Sequence, residues 1–200
     1  MNIKNYVIKM ISVIALSAIT QITFSQNVKK PHYLDIGDHM PDLEINNIIN
    51  SNLKTARISD FKGKLVILDF WNSFCGGCIA GFPKLNSLQL QYKDKIQVLL
   101  INPASDHETM RSMKIVINRM NLWGKQQFKL PIVYSDTTIS KNFLFYGVPF
   151  QVWISPDGNI VAMPDKTALT TENIDGILAG RQMNIKRKVQ TQGAIRKVEL

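Results

Sequence analysis

The run Leu65-Val66-Ile67-Leu68-Asp69-Phe70-Trp71 is nearly continuous in apolar residues, of strand length, and broken by one ionisable group, Asp69. A strand without a polar face has to be covered on both sides, so this one belongs in the interior of a sheet with packing layers above and below it. Cys75-Gly76-Gly77-Cys78 follows a few residues on, and from Ile79 to Tyr92 the residues Phe82, Leu85, Leu88 and Tyr92 recur at helical spacing. The two cysteines are therefore expected at a strand-to-helix junction.

The rest of the pattern extends this frame. Short alternating segments at Leu43 to Asn46 and Lys54 to Ile58, separated by Asn50-Ser51-Asn52, predict an N-terminal β-hairpin. Ser59 to Lys64 reads as a brief helical turn ending in glycine. Strands are predicted over Ile96 to Ile101 and Leu130 to Tyr134, and a helix over Asp106 to Met120, capped by Ser105 or Asp106. A short helix is predicted over Thr137 to Phe143 and a last one over Glu172 to Leu178. Val152 to Ser155 and Ile160 to Met163 flank Pro156-Asp157-Gly158-Asn159, a hairpin turn by composition. Strands alternating with helices and closing in an antiparallel hairpin give an α/β class with a mixed central sheet flanked by helices. A chain of 200 residues suffices for one such domain, expected over residues 37–180.

The two ends have a different character. Lys4 and Lys9, an apolar run from Met10 to about Ile19, and Thr23-Phe24-Ser25 ahead of Gln26 have the layout of a secretory signal peptide, expected over residues 1–25 with cleavage after Ser25. An uncleaved membrane anchor is the alternative, although Lys9 and the polar residues from Thr20 leave the run short for a span. Either way the domain is expected in the periplasm or cell envelope. Residues 26–36 read as a linker. The formal charge of +9 is concentrated in residues 181–200, where Arg181, Lys186, Arg187, Lys188, Arg196 and Lys197 face only Glu199. Export argues against nucleic acid as a partner for this basic tail and favours a membrane surface or a partner protein.

Export also changes the meaning of the two cysteines, since disulfides persist outside the cytosol. A bridge with two residues between its ends closes too small a loop to stabilise a fold of this size by chain entropy. Half of a zinc site would need a second cysteine pair, and His32, His39 and His107 are scattered without ligand spacing. Redox exchange is the remaining reading, with no metal and no cofactor expected. In such exchange one thiolate attacks a disulfide and the second thiol resolves the mixed disulfide. A helix N-terminus, with its unpaired N–H groups and partial positive charge, favours the thiolate. Cys75, at the exposed edge of the turn, is the expected nucleophile and Cys78, one turn in, the resolving thiol.

Asp69 to Cys78, with Pro83 in the helix and Gly147-Val148-Pro149 far downstream, resembles the thioredoxin superfamily. The signal segment, the leading hairpin and Phe61-Lys62-Gly63-Lys64 are similar to its envelope TlpA/ResA-like branch. The resemblance spans residues 37 to about 180 and implies a thioredoxin fold. It implies that Pro149 is a cis-proline facing the cysteines and presenting the backbone of Val148 to substrate; the residues alone leave open a trans proline at a strand start. It also implies that Asp69 is the buried acid behind the resolving cysteine, with the raised pKa that burial gives a carboxyl. Pairing of Asp69 with Lys64 or Lys84 is the alternative. Phe74 stands where tryptophan is usual, Gly77 where thioredoxins have proline, Gly81 where some envelope members carry glutamate, and Phe150 where a small hydroxyl residue is common. Phe74, Val148 and Phe150 are expected at the substrate surface, and Trp71 and Trp153 in core or rim packing.

The implied activity is disulfide reduction in exported proteins, drawing on a membrane electron donor, as in members serving cytochrome c maturation. An oxidant or isomerase would use the same residues and differ in redox potential. A thiol peroxidase would need threonine where Asn72 stands. A copper carrier of this fold would need one more residue between the cysteines and a histidine downstream of His107.

Overall fold

A computed structural model describes residues 3–4, 32–105, 107–124 and 126–189. The expected signal segment beyond residues 3–4, the first part of the expected linker, and the tail from residue 190 lie outside the described residues. No helix among the described residues is long and apolar enough to cross a membrane.

The described residues from Tyr33 onward form one unit. Its elements in order are β1 (Glu44–Ile45), β2 (Ile48–Ile49), β3 (Ala56–Arg57), β4 (Leu65–Phe70), α1 (Gly76–Tyr92), β5 (Ile96–Pro103), α2 (Met110–Trp123), β6 (Ile132–Asp136), β7 (Phe150–Ile154), β8 (Ile160–Ala162) and α3 (Thr171–Leu178). The main sheet has the order β2-β6-β5-β4-β7-β8. β4, β5 and β6 run parallel, while β7, β8 and β2 pair antiparallel to their neighbours. The apolar run thus forms an interior strand, all six of its residues buried.

Side chains alternate across a strand, and the core divides along that alternation. Leu65, Ile67 and Trp71 face the cluster that holds the buried residues of α1, α2 and α3. Val66, Leu68 and Phe70 face the opposite cluster, with Ile45, Ala56, Ile58 and Phe61 from the N-terminal segments. On the helix side Phe82 is fully buried, edge-on to Trp71 at 5.0 Å between centroids and stacked on Phe128 at 5.8 Å.

Several expectations are corrected in detail. The leading hairpin exists as β1 paired with β3, but between them β2 leaves to join β6 at the edge of the main sheet. Asn47 and Asn50, both at φ 56°, turn the chain into and out of that strand, a left-handed conformation that asparagine tolerates. α2 starts at Met110 rather than near Asp106. Its cap is Thr109, whose side chain accepts from the Ser112 amide at 3.1 Å while the Ser112 hydroxyl accepts from the Thr109 amide at 3.0 Å. The predicted helix over Thr137 to Phe143 shrinks to a 3-10 turn at Ser140–Asn142. There the buried Asp136 carboxylate takes up the amides of Thr138, Ile139 and Ser140, and the chain is extended again at Phe143.

The expected boundary at Gly180 is also passed. Met183 and Ile185 pack on the helix-side core, Met183 lying over Gly176, which has no side chain to obstruct it. The Lys188 amide donates to the Met163 carbonyl at 2.9 Å, Arg187 bridges to Pro164, and its guanidinium pairs with Asp35 at 2.6 Å. Residues 181–189 therefore belong to the folded unit.

Phe82 joins α1 to the sheet beneath the cysteine junction. Truncation to alanine leaves a cavity under Trp71, and a large-to-small change of this kind costs about 3–5 kcal/mol. Phe82→Ala is expected to lower the unfolding free energy by that amount in urea titrations, and a loss below about 1 kcal/mol would contradict the packing described.

Candidate active site

The site is assembled by strand parity and register. Asp69 stands between Ile67 and Trp71 in the row that faces the helices, and it lies opposite Gln151 of β7. Gln151 Nε2 donates to the Asp69 carboxylate at 2.8 Å, and Gln151 Oε1 accepts from Trp153 Nε1 at 3.2 Å. Asp69 is 3% exposed, so water does little to stabilise its charge. Burial pushes its carboxyl up to about 7, against the pull of the Gln151 hydrogen bond and of the Lys188 charge. The cation that acts on it is Lys188, not Lys64 or Lys84.

The cysteines follow from the end of β4. Cys75 caps α1, and its sulfur accepts from the Cys78 amide at 3.1 Å. The same amide also donates to the Cys75 carbonyl at 3.0 Å, so the first turn of α1 closes on Cys75 through both its sulfur and its backbone. Cys75 is half-buried with Gly76 and Gly77 exposed beside it, whereas Cys78 is 3% exposed in the helix-side core. The pair is disulfide-bonded, with Cα atoms 5.3 Å apart.

The loop that delivers Cys75 is held from a distant segment. Glu108, buried in the connection between β5 and α2, accepts from the Ser73 amide at 2.8 Å and the Ser73 hydroxyl at 3.0 Å. Asn102, at 0% exposure, donates to the Trp71 carbonyl at 3.2 Å. Neither residue is predicted from the sequence, since only the crossover from β4 to β5 brings these segments together.

The Val148-Pro149 bond is cis, and Pro149 lines the same cavity as Cys78. Val148 is half-buried at the junction of the two core clusters. Phe74, beside Cys75, is 72% exposed, which makes it available to a substrate. Phe150 is not: at 2% exposure it stacks with Phe145 and packs on Phe70 on the far face of the sheet. Parity explains the correction, because Phe150 pairs with Phe70 and so shares its face, opposite to that of Asp69 and Gln151. Trp71 and Trp153 are both fully buried core residues.

Behind the cysteines lies a cavity of about 260 Å³ lined by Asp69, Cys78, Gly81, Pro149, Gln151 and Lys188. Lys188 Nζ donates to the Pro149 carbonyl. Burial pushes the Lys188 ammonium down, while Asp165 and Asp69 hold it up. The buried Cys78 sulfur, a carboxyl poised near neutrality and a cation thus share one cavity, and a carboxylate so placed is within the chemistry needed to accept a proton from Cys78 once the pair is reduced.

Residues 35–172 match the Redoxin family. The thiol-disulfide oxidoreductase ResA of Oceanobacillus iheyensis is 25% identical over 146 residues, covering 72% of this chain and 71% of that one. A solved structure from Chlorobium tepidum, described as a thiol:disulfide interchange protein DsbE, is similar at a TM-score of 0.55 and 28% identity over 72% of this chain and 99% of that one. The thioredoxin domain of a thiol-disulfide oxidoreductase from Bacteroides vulgatus superposes at a TM-score of 0.52 with 20% identity, over 74% of this chain and 97% of that one. The architecture is a thioredoxin fold.

Asp69 keeps its proton in the folded protein at pH values where the unfolded chain has lost it, so it lowers stability progressively as pH rises from the ordinary carboxylate range through about 7. A shift of this size corresponds to about 4 kcal/mol. Asp69→Asn, which keeps an acceptor for Gln151, is expected to stabilise the oxidised protein by a few kcal/mol above pH 7, with the gain shrinking toward pH 4. Urea titrations across this range check it; a gain that does not vary with pH would contradict the assignment.

Proposed function

We propose, for a chain that belongs to the redoxin family and acts as a thiol–disulfide oxidoreductase, that its Cys75-Cys78 dithiol reduces disulfides of exported proteins in the cell envelope. The observation that carries the residue roles is the asymmetry of the pair: Cys75 is accessible and hydrogen-bonded at the start of α1, and Cys78 is buried beside Asp69.

In the reduced protein the Cys75 thiolate attacks one sulfur of a substrate disulfide. A mixed disulfide forms, and the departing substrate sulfur takes up a proton. The Cys78 thiol then gives its proton to the Asp69 carboxylate and attacks Cys75 Sγ. The mixed disulfide breaks, the second substrate sulfur leaves as a thiol, and Cys75-Cys78 closes as the disulfide seen here. Two electrons pass from the dithiol to the substrate. A reduced dithiol donor, which we place at the membrane, returns them. Phe74 and the backbone of Val148 supply the substrate surface beside Cys75, and Phe150 takes no part in it. Export is supported by the layout of residues 1–25, and the direction of electron flow by the resemblance to envelope reductants. The basic residues Arg196 and Lys197 of the tail are assigned to contact with a membrane surface.

Cys78→Ser is expected to accumulate mixed disulfides through Cys75 with a disulfide protein such as insulin, and Cys75→Ser to accumulate none. In redox buffers the pair is expected to equilibrate near −270 mV, as a thioredoxin-like reductant does, whereas a value near −120 mV would identify an oxidant. Trapping through Cys78 instead of Cys75 would reverse the assigned roles.

A further inference from the structure

The C-terminal strap, residues 184–189, is pinned beside the cavity by backbone and side chain together. The Lys188 amide pairs with Met163, Arg187 bridges to Pro164 and forms its ion pair with Asp35, and Ile185 packs on the core. Lys188 is therefore delivered by main-chain pairing and not by a freely moving side chain. Gly81, on the opposing helix, contributes no side chain to the cavity, and nothing lies within 4 Å of where its Cβ would be.

We propose that Lys188 is a positioning residue for the proton step at Cys78: held on the Pro149 carbonyl, its ammonium faces the shared cavity and keeps the Asp69 carboxylate ready to accept the Cys78 proton. This rests on the redox reading above. The groups that face Asp69 are Gln151 from β7, Cys78 from α1, Asp165 and Lys166 from the turn before α3, and Lys188 from the strap. Asp165 hydrogen-bonds Thr167 and attracts Lys188, so the ammonium lies under the influence of two carboxylates, one of them the proton acceptor. Without the cation Asp69 holds its proton to higher pH, and at neutral pH fewer molecules carry the base that Cys78 needs. Gln151 continues to hold the carboxyl in place, so the effect falls on ionisation more than on geometry.

The test follows the resolving step in the full chain. Reduced protein is mixed with one equivalent of dithionitrobenzoate, whose first thiolate is released by attack of Cys75 and its second by attack of Cys78. The second phase is recorded by stopped flow across pH. Lys188→Gln, which can still donate to the Pro149 carbonyl but carries no charge, is expected to slow that phase about 2- to 6-fold at pH 7 and to move its midpoint upward by about half to one unit. Lys188→Arg is expected to restore both, and Lys186→Met, an exposed change on the same strap, to leave both in place. In an Asp69→Asn background Lys188→Gln is expected to add nothing. A midpoint in Lys188→Gln equal to that of the unaltered protein, alongside one that Asp69→Asn abolishes, would overturn the role of Lys188 and leave the redox reading standing. Absence of any second phase in the unaltered protein would overturn both.

Discussion

Asp69 sits in the central strand with its carboxyl out of water, opposite Gln151 and behind Cys78, and the surrounding groups are arranged to make this tolerable. A fully ionised carboxylate in such a place costs several kcal/mol unless it is hydrogen-bonded or paired. Gln151 gives it one donor, and Trp153 in turn fixes the Gln151 amide by donating to its oxygen. The strap adds a cation at the cavity. None of these removes the penalty, which is why the group titrates near neutrality instead of in the ordinary carboxylate range. Under the proposed mechanism, a base strong enough to take a thiol proton is thus obtained at the expense of stability, a familiar relation at catalytic sites.

The same strand sets the geometry of the cysteines. β4 ends at Phe70, and the chain needs a short loop to reverse its burial before α1 begins. Asn102 and Glu108 hold that loop by the Trp71 carbonyl and the Ser73 amide, so Cys75 arrives at the helix start with its sulfur on the Cys78 amide. The partial positive charge of a helix N-terminus favours a thiolate at its cap without a cationic side chain, which suits the nucleophile's role proposed for Cys75. The burial of Cys78 follows from helical spacing. Cys78, Phe82 and Leu85 share one face of α1, and that face meets the sheet in the row that contains Asp69.

How much of this is legible in the sequence depends on how far apart the interacting residues lie. The apolar run, the cysteine pair and the helical spacing after it are local, and they place the junction correctly. The cis bond at Pro149 and the place of Asp69 behind Cys78 are legible through resemblance, because their partners lie about seventy to eighty positions away and no local pattern connects them. Phe150 was within reach of parity reasoning: once Val152 and Ile154 are seen as one face of β7, Phe150 falls on the same face and Gln151 on the face of Asp69. Thr109 lost to Ser105 and Asp106 because all three are competent caps, and only the reciprocal bonds with Ser112 select among them. Glu108, Asn102 and Lys188 carry no local signal, since their function comes entirely from tertiary contact.

The basic tail shows how a composition argument changes once a fold is known. Its charge suggests a surface feature directed at a partner, and Lys186 remains exposed enough for that role. Arg187 and Lys188 do not. One is committed to Asp35 and the other to the Pro149 carbonyl, both within this domain. Two adjacent basic residues thus point in opposite directions, as alternation along an extended segment requires: Arg187 outward to an exposed ion pair worth little in itself, Lys188 inward to the cavity. An exposed pair contributes little to stability, but combined with the Met163 and Pro164 backbone contacts it fixes the register of the strap. A shift of one residue would reverse the two orientations, turning Lys188 out of the cavity and breaking the Arg187 pair with Asp35. The register of a short extended segment, rather than the net charge of the tail, is what makes its basic character matter to the site.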